Sequence, residues 1–148
     1  MLANLLGEIP VERYPMHRKP GSWCIHEQVC HLVDAQQLLM GRFITFHDEE
    51  HPVIASHNPT DGTEPNYMAM DMDAALKEFP AKRKEMVQLL NSFDGAYWQK
   101  QGEHEAFSPY SSRTLLRHVM NVDYAHLFSI EQLGLTKEEH AAEIVTVL

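Results

Sequence analysis

In the stretch "RHVMNVDYAHLFSIEQL", residues 117–133, His118 and His126 stand eight residues apart, and Val122 lies midway, where a third histidine would complete a ladder. A second constellation occurs in "HEQVCHLVDAQ", where Glu27 and His31 are one helical turn apart and Asp34 follows. Imidazoles and carboxylates at these spacings suit a divalent metal site, a general-base pair, or simple hydrogen bonding at a surface. Helix geometry limits the first option. His118 and His126 would lie ~12 Å apart along an axis, whereas two imidazoles on one zinc lie ~3–4 Å apart. They cannot share an ion. A histidine at position 122 could share one with His126, but Val122 carries no donor. The segment "HDEEH", His47 to His51, has a zincin-like spacing. Pro52 biases His51 away from helical geometry, and three acids at a helix C-terminus oppose its dipole, so a frayed, solvated end is expected.

These residues need helices to position them. "MLANLLGE" reads as a short first helix stopped near Pro10. A long second helix is expected from about Cys24 to His47, with Ile25, Val29, Leu32, Leu39 and Phe43 as its buried stripe. Glu27 and His31 fall on a face well off that stripe. Residues 48–70 carry three prolines and a glycine and show no sustained period, which predicts a long loop of functional or mobile character. Asp71 or Asp73 caps a third helix reaching about Phe93, with Pro80 near its start or kinking it. Ser111 or Ser112 caps a fourth, whose stripe is Leu115, Val119, Val122, His126, Ile130 and Leu133, and Gly134 suits its C-terminal stop. "TKEE", Thr136 to Glu139, has the form of a capping box and predicts a last helix in the tail. No strand-like alternation and no internal repeat is found. The expectation is one all-α domain over 1–148, a four-helix bundle with a long loop between its second and third helices.

Composition removes several classes of function. The chain has 148 residues, 44% hydrophobic and 22% charged, enough to bury a real core. Its net charge of −9 disfavours nucleic-acid binding, which needs a basic stripe. No apolar run approaches the ~20 residues that span a bilayer, and the N-terminus lacks a signal-peptide pattern. Cys24 and Cys30 are six apart on one predicted helix, ~9 Å along its axis and too far for a disulfide, which suits a reduced, cytoplasmic protein. There is no P-loop, G-x-S-x-G or G-x-G-x-x-G motif. Tyr97, Trp98 and Phe107 read as core or loop packing, and "AKRKEM", 81–86, as a solvated helix face.

"GSWCIHEQVCHLVDAQ" resembles the W-S-x-x-E-x-x-x-H-L-x-D-A-E pattern of DinB-like proteins, metalloenzymes that include bacillithiol-transferase relatives. "SSRTLLRHVMNVDYAHLFSIEQL" resembles their last long helix, and the order of elements agrees over nearly the whole chain. The resemblance implies a DinB/YfiT-like four-helix bundle, often dimeric, with a divalent metal on three histidines. One comes from the second helix and two from the last. Carried over, the first ligand falls on His31, the third on His126 and the second on Val122. Cys24 replaces the usual Ser of the motif, so the capping hydroxyl is lost unless Ser22 takes over. Ser129 stands where a Gln is common.

The resemblance therefore implies zinc, nickel or iron on His31 and His126, with His118, Glu27 or Asp123 as a possible third ligand. Glu27 or Asp123 would orient a ligand or take a proton, and the reaction would be hydrolysis or transfer of a low-molecular-weight thiol to a small-molecule substrate. The alternative is a degenerate, metal-free and catalytically inactive bundle that binds a small ligand or protein. In either case a homodimer is expected. The first helix supplies only about two turns against five or more in its partners, which leaves an apolar strip exposed.

Overall fold

The computed structural model describes residues 1–57 and 65–143. Four α-helices follow in chain order: α1, Leu2–Gly7; α2, Ile25–Asp48; α3, Met72–Ser92; and α4, Ser112–Leu135. α2 is the hub. It packs on α3 and α4 along its length and on a 3₁₀ turn, Tyr67–Ala69, near its N-terminus. The result is a four-helix bundle, as expected.

Caps set the helix starts. The Asp71 carboxylate accepts from the Asp73 and Ala74 N–H groups at 2.9 and 3.1 Å and opens α3. Ser111 Oγ accepts from Thr114 N at 3.2 Å and opens α4. At α2 the Glu27 carboxylate accepts from Cys24 N at 2.9 Å, while the Cys24 sulfur faces the Glu27 N–H. Ser22 does not replace the missing hydroxyl of the motif; its Oγ donates instead to the Lys19 carbonyl. Pro80 neither starts nor ends α3. The helix runs through it.

Gly134 was expected to stop α4, yet the helix continues to Leu135. A methyl group on Gly134 would meet the Ile9 side chain at 2.3 Å. Glycine is required there for close approach of the chain that follows α1, not for a turn. The tail forms a 3₁₀ helix, Glu138–Glu143, instead of an α-helix, and the rest of that expected element, 144–148, lies outside the described residues.

The expectation of no strands is corrected. β1, Val53–Ile54, pairs in parallel with β2, Gln101–His104, which pairs antiparallel with β3, Tyr110–Ser111. Strands of two to four residues are too short to show alternation, so periodicity could not reveal them. Gly102 permits the contact: a Cβ there would sit 2.7 Å from the Pro52 carbonyl and 2.8 Å from the Phe46 ring. β1 and the 3₁₀ turn Tyr67–Ala69 also give structure to part of the expected loop; residues 58–64 of it lie outside the described residues.

The core has two apolar clusters. One gathers Leu6, Ile9, Ile25, Val29, Ile130 and Leu133. The other gathers Phe43, Phe46, Met86, Tyr110, Leu115 and Val119. Between them, along α2 and α4, lies a polar belt. Arg83 forms a bidentate pair with Asp123, and its Nε donates to Gln36 Oε1 at 2.7 Å. Such a planar fork holds α2, α3 and α4 in register.

Candidate metal centre

Next to this belt, between α2 and α4, His31 and His126 come together. Their ring centroids are 4.9 Å apart and both are buried, at 5% and 4% exposure. The face of α2 that carries His31 is thus not a free surface. Tyr67 and Trp23 cover it, and Trp23 packs on both imidazoles, with centroids at 4.6 and 6.1 Å. Periodicity could not show this, because burial on that face comes from a segment far along the chain.

Hydrogen bonds fix the state of each ring. Tyr67 Oη donates its single proton to Asp34 Oδ2 at 3.0 Å. The His31 Nδ1 at 3.1 Å from the same oxygen must therefore donate to it, which places His31's own proton on Nδ1. His126 Nδ1 lies 2.5 Å from Gln28 Oε1, an oxygen that can only accept, so this ring too carries its proton on Nδ1. The Gln28 amide is held in turn by donating to Ser129 Oγ at 2.7 Å. Both histidines are left with an unprotonated Nε2. This is the tautomer that metal-ligating histidines adopt when a second group takes the Nδ1 proton.

Burial keeps the rings neutral. It pushes the pKa of both down to about 4; Asp34 opposes this at His31, while His126 is lowered further by His31 and raised by Asp123. His57, at the end of the segment leaving β1, acts electrostatically on His31 in the same downward direction as burial. Neutral imidazole is the form that binds a metal.

The other candidate site residues are placed elsewhere. Asp123 is taken by Arg83, and Glu27 by the cap of α2, with His17 Nδ1 at 3.5 Å. His118 is remote from the pair. Its Nδ1 lies 3.3 Å from Tyr110 Oη, and its ring packs against Phe107 and His104 beside the sheet. One turn from His126, Val122 is half-buried against the first apolar cluster. Among the described residues no third His, Cys, Asp or Glu ligand atom lies within 4.8 Å of both histidines; that criterion is met only by His17, Cys24 and Glu27 among themselves. In "HDEEH", His47 Nδ1 pairs with Asp48 at 2.7 Å in an exposed position at the end of α2.

Sequence reasoning missed Gln28, Tyr67 and Asp34 as the groups that set the tautomers. Gln28 lies one turn before His31's neighbour Leu32 and shows no periodic signal. Tyr67 lies in an aperiodic stretch.

Fold and site define a class: a helical bundle with two neutral, inward-facing imidazoles between its second and last helices. Residues 1–130 match the DinB superfamily, and the chain belongs to that family. Among solved structures it is similar to YfiT from Bacillus subtilis, described as a probable metal-dependent hydrolase with an unusual four-helix bundle topology. The TM-score is 0.73 at 18% identity, over 89% of this chain and 77% of that one. No curated protein matches the chain.

Proposed function

We propose that this chain is a metal-dependent hydrolase or thiol transferase whose ion is held by His31 Nε2 and His126 Nε2. The observation that carries the reading is the pair of fixed tautomers, since two unrelated hydrogen-bond chains leave the same nitrogen unprotonated on both rings. A core pair serving only packing needs no such agreement. When bound, a divalent transition metal would lower the pKa of a water or thiol and so supply a nucleophile near neutral pH.

The chain's own residues do the rest. Asp34 through Tyr67, and Ser129 through Gln28, hold the rings and make them better donors. Trp23 covers both rings and limits water. Because Val122 provides no ligand, an ion here has fewer protein donors than the three of usual catalytic zinc sites, which leaves more positions for water and substrate. Asp123 and Glu27, committed to Arg83 and to the α2 cap, fit positioning roles better than proton transfer.

The test is elemental analysis of protein purified without chelator, followed by assays with ester, amide and thiol-acceptor substrates. About one zinc, nickel or iron per chain together with turnover supports the reading; metal-free protein that takes up none of the three overturns it.

A specific observation also favours self-association. Met120, Tyr124 and Phe128 repeat at one-turn steps on the outside of α4, each 48–61% exposed, beside a cavity of about 460 Å³ shared with α1. We propose that this strip pairs with its own copy across a two-fold axis. Light scattering should give a dimer that Tyr124→Glu dissociates; a monomer of 17.0 kDa overturns this.

A further inference from the structure

Beside the histidine pair, a different set of donors meets. Trp23 and Tyr67 face the imidazoles, and the residues that follow them in the chain, Cys24 and Met68, meet each other with sulfurs 3.4 Å apart. Two sulfurs bound to one ion at ~2.3 Å each lie at most ~4.6 Å apart, so this separation fits a shared ion. A ring nitrogen of His17 and a carboxylate oxygen of Glu27 lie within 4.8 Å of each other and of the Cys24 sulfur; His17 Nδ1 donates to the Ser22 carbonyl at 2.9 Å, so Nε2 is the nitrogen the ring can offer. Donors from three separate segments therefore approach the Cys24 sulfur at the N-terminus of α2. No feature of the histidine pair requires it.

We propose that Cys24, Met68 and His17 form a second metal site, selective for copper(I). The donor types decide the ion. Thiolate and thioether are soft ligands that favour copper(I), and a site of one of each with an imidazole is a poor match for magnesium or calcium. The backbone N–H groups of His26 and Glu27 point at the Cys24 sulfur and favour its anionic form, while burial and the Glu27 charge oppose it. Without an ion the thiol stays protonated, with a pKa of about 11. As the copper–sulfur bond forms, the S–H bond breaks and its proton passes to solvent; copper stays in the +1 state and nothing is oxidised. The carboxylate of Glu27 remains on the Cys24 N–H and balances the ion's charge. Access is from the Met68 side, which is 39% exposed, whereas Cys24 is fully buried.

The test is anaerobic titration of the full chain with copper(I) in competition with a bathocuproine chelator. One ion per chain is expected. Cys24→Ser and Met68→Leu, both near-isosteric, should each weaken binding at least as much as the roughly tenfold cost of losing a supporting group at a metal. His17→Ala should weaken it less. His31→Ala and His126→Ala should leave copper(I) affinity unchanged, so the outcome is independent of the proposed catalytic centre. Circular dichroism of each variant checks that it is folded. The proposal is overturned if the parent does not compete with the chelator, if Cys24→Ser and Met68→Leu bind as the parent does, or if copper(I) is lost with His31. In those cases the sulfur contact is only an S–H···S hydrogen bond.

Discussion

Two histidine clusters sit in this bundle, and their surroundings give them opposite character. At His31 and His126 the Nδ1 partners among the described residues, Tyr67 Oη and Gln28 Oε1, accept, which leaves both Nε2 atoms unprotonated. At His104 and His118 the pattern is broken. His104 Nδ1 accepts from the Ala106 N–H at 3.0 Å, which leaves the proton of a neutral ring on Nε2. Arg42 acts on both rings and, after burial, lowers their pKa as a nearby cation does. The first cluster presents two unprotonated nitrogens, whereas a guanidinium acts on the second. Residue type and spacing are similar in the two; the partner on the far nitrogen separates them.

The largest expected effect breaks the first cluster. His31→Ala or His126→Ala should abolish binding of zinc or nickel in calorimetric titration, while His118→Ala should leave it intact. A loss of metal with His118→Ala would erase the distinction between the clusters.

Acid should act next. Both buried rings have a folded pKa near 4 against an ordinary 6.5, so between these values the unfolded chain binds protons that the native state does not. Stability of the metal-free protein is therefore full above about pH 6.5 and falls as the pH drops towards 4. The slope should be at most ~1.4 kcal/mol per pH unit for each ring. Urea unfolding at several pH values checks this, and the slope should flatten when both histidines are replaced by Gln.

Tyr67→Phe removes the acceptor that holds His31's proton and should weaken metal binding ~10–100-fold without unfolding the chain. An unchanged affinity would mean that the tautomer is not what the site depends on. Val122→His, one turn from His126, should tighten binding by adding a third imidazole, at a stability cost on the order of 1–2 kcal/mol for a polar ring in a half-apolar position. If it binds no better than the parent, the alignment of α4 with the family's ligand ladder is wrong. On metal affinity the smallest effect, none, is expected from Gly134→Ala. Its methyl would press on Ile9, costing about 1–3 kcal/mol of stability with no change in metal affinity.

Much of the bundle was legible in the sequence because long helices announce themselves by period and cap. The stripe of α4 was read correctly except that Val122 is only half-buried. His31 and His126 were selected by resemblance, since their spacing in the chain, 95 positions, says nothing about contact. What stayed hidden depended on tertiary neighbours. The strands are held by pairing with distant chain, not by alternation. The role of Gly134 depends on Ile9, and His118 could not be separated from a ligand until Tyr110 and His104 appeared beside it. Local pattern reports on an element; the partner on a ring nitrogen belongs to the assembled fold.

The central claim is that the Nε2 atoms of His31 and His126 are unprotonated and ready for a metal. Long-range ¹H–¹⁵N correlation of the histidine side chains at neutral pH measures this directly. The expected result is the Nδ1–H tautomer for His31 and His126, the Nε2–H tautomer for His104, and movement of only the first two Nε2 resonances when zinc is added. An Nε2–H tautomer at either His31 or His126, or zinc that leaves both unmoved, would contradict it.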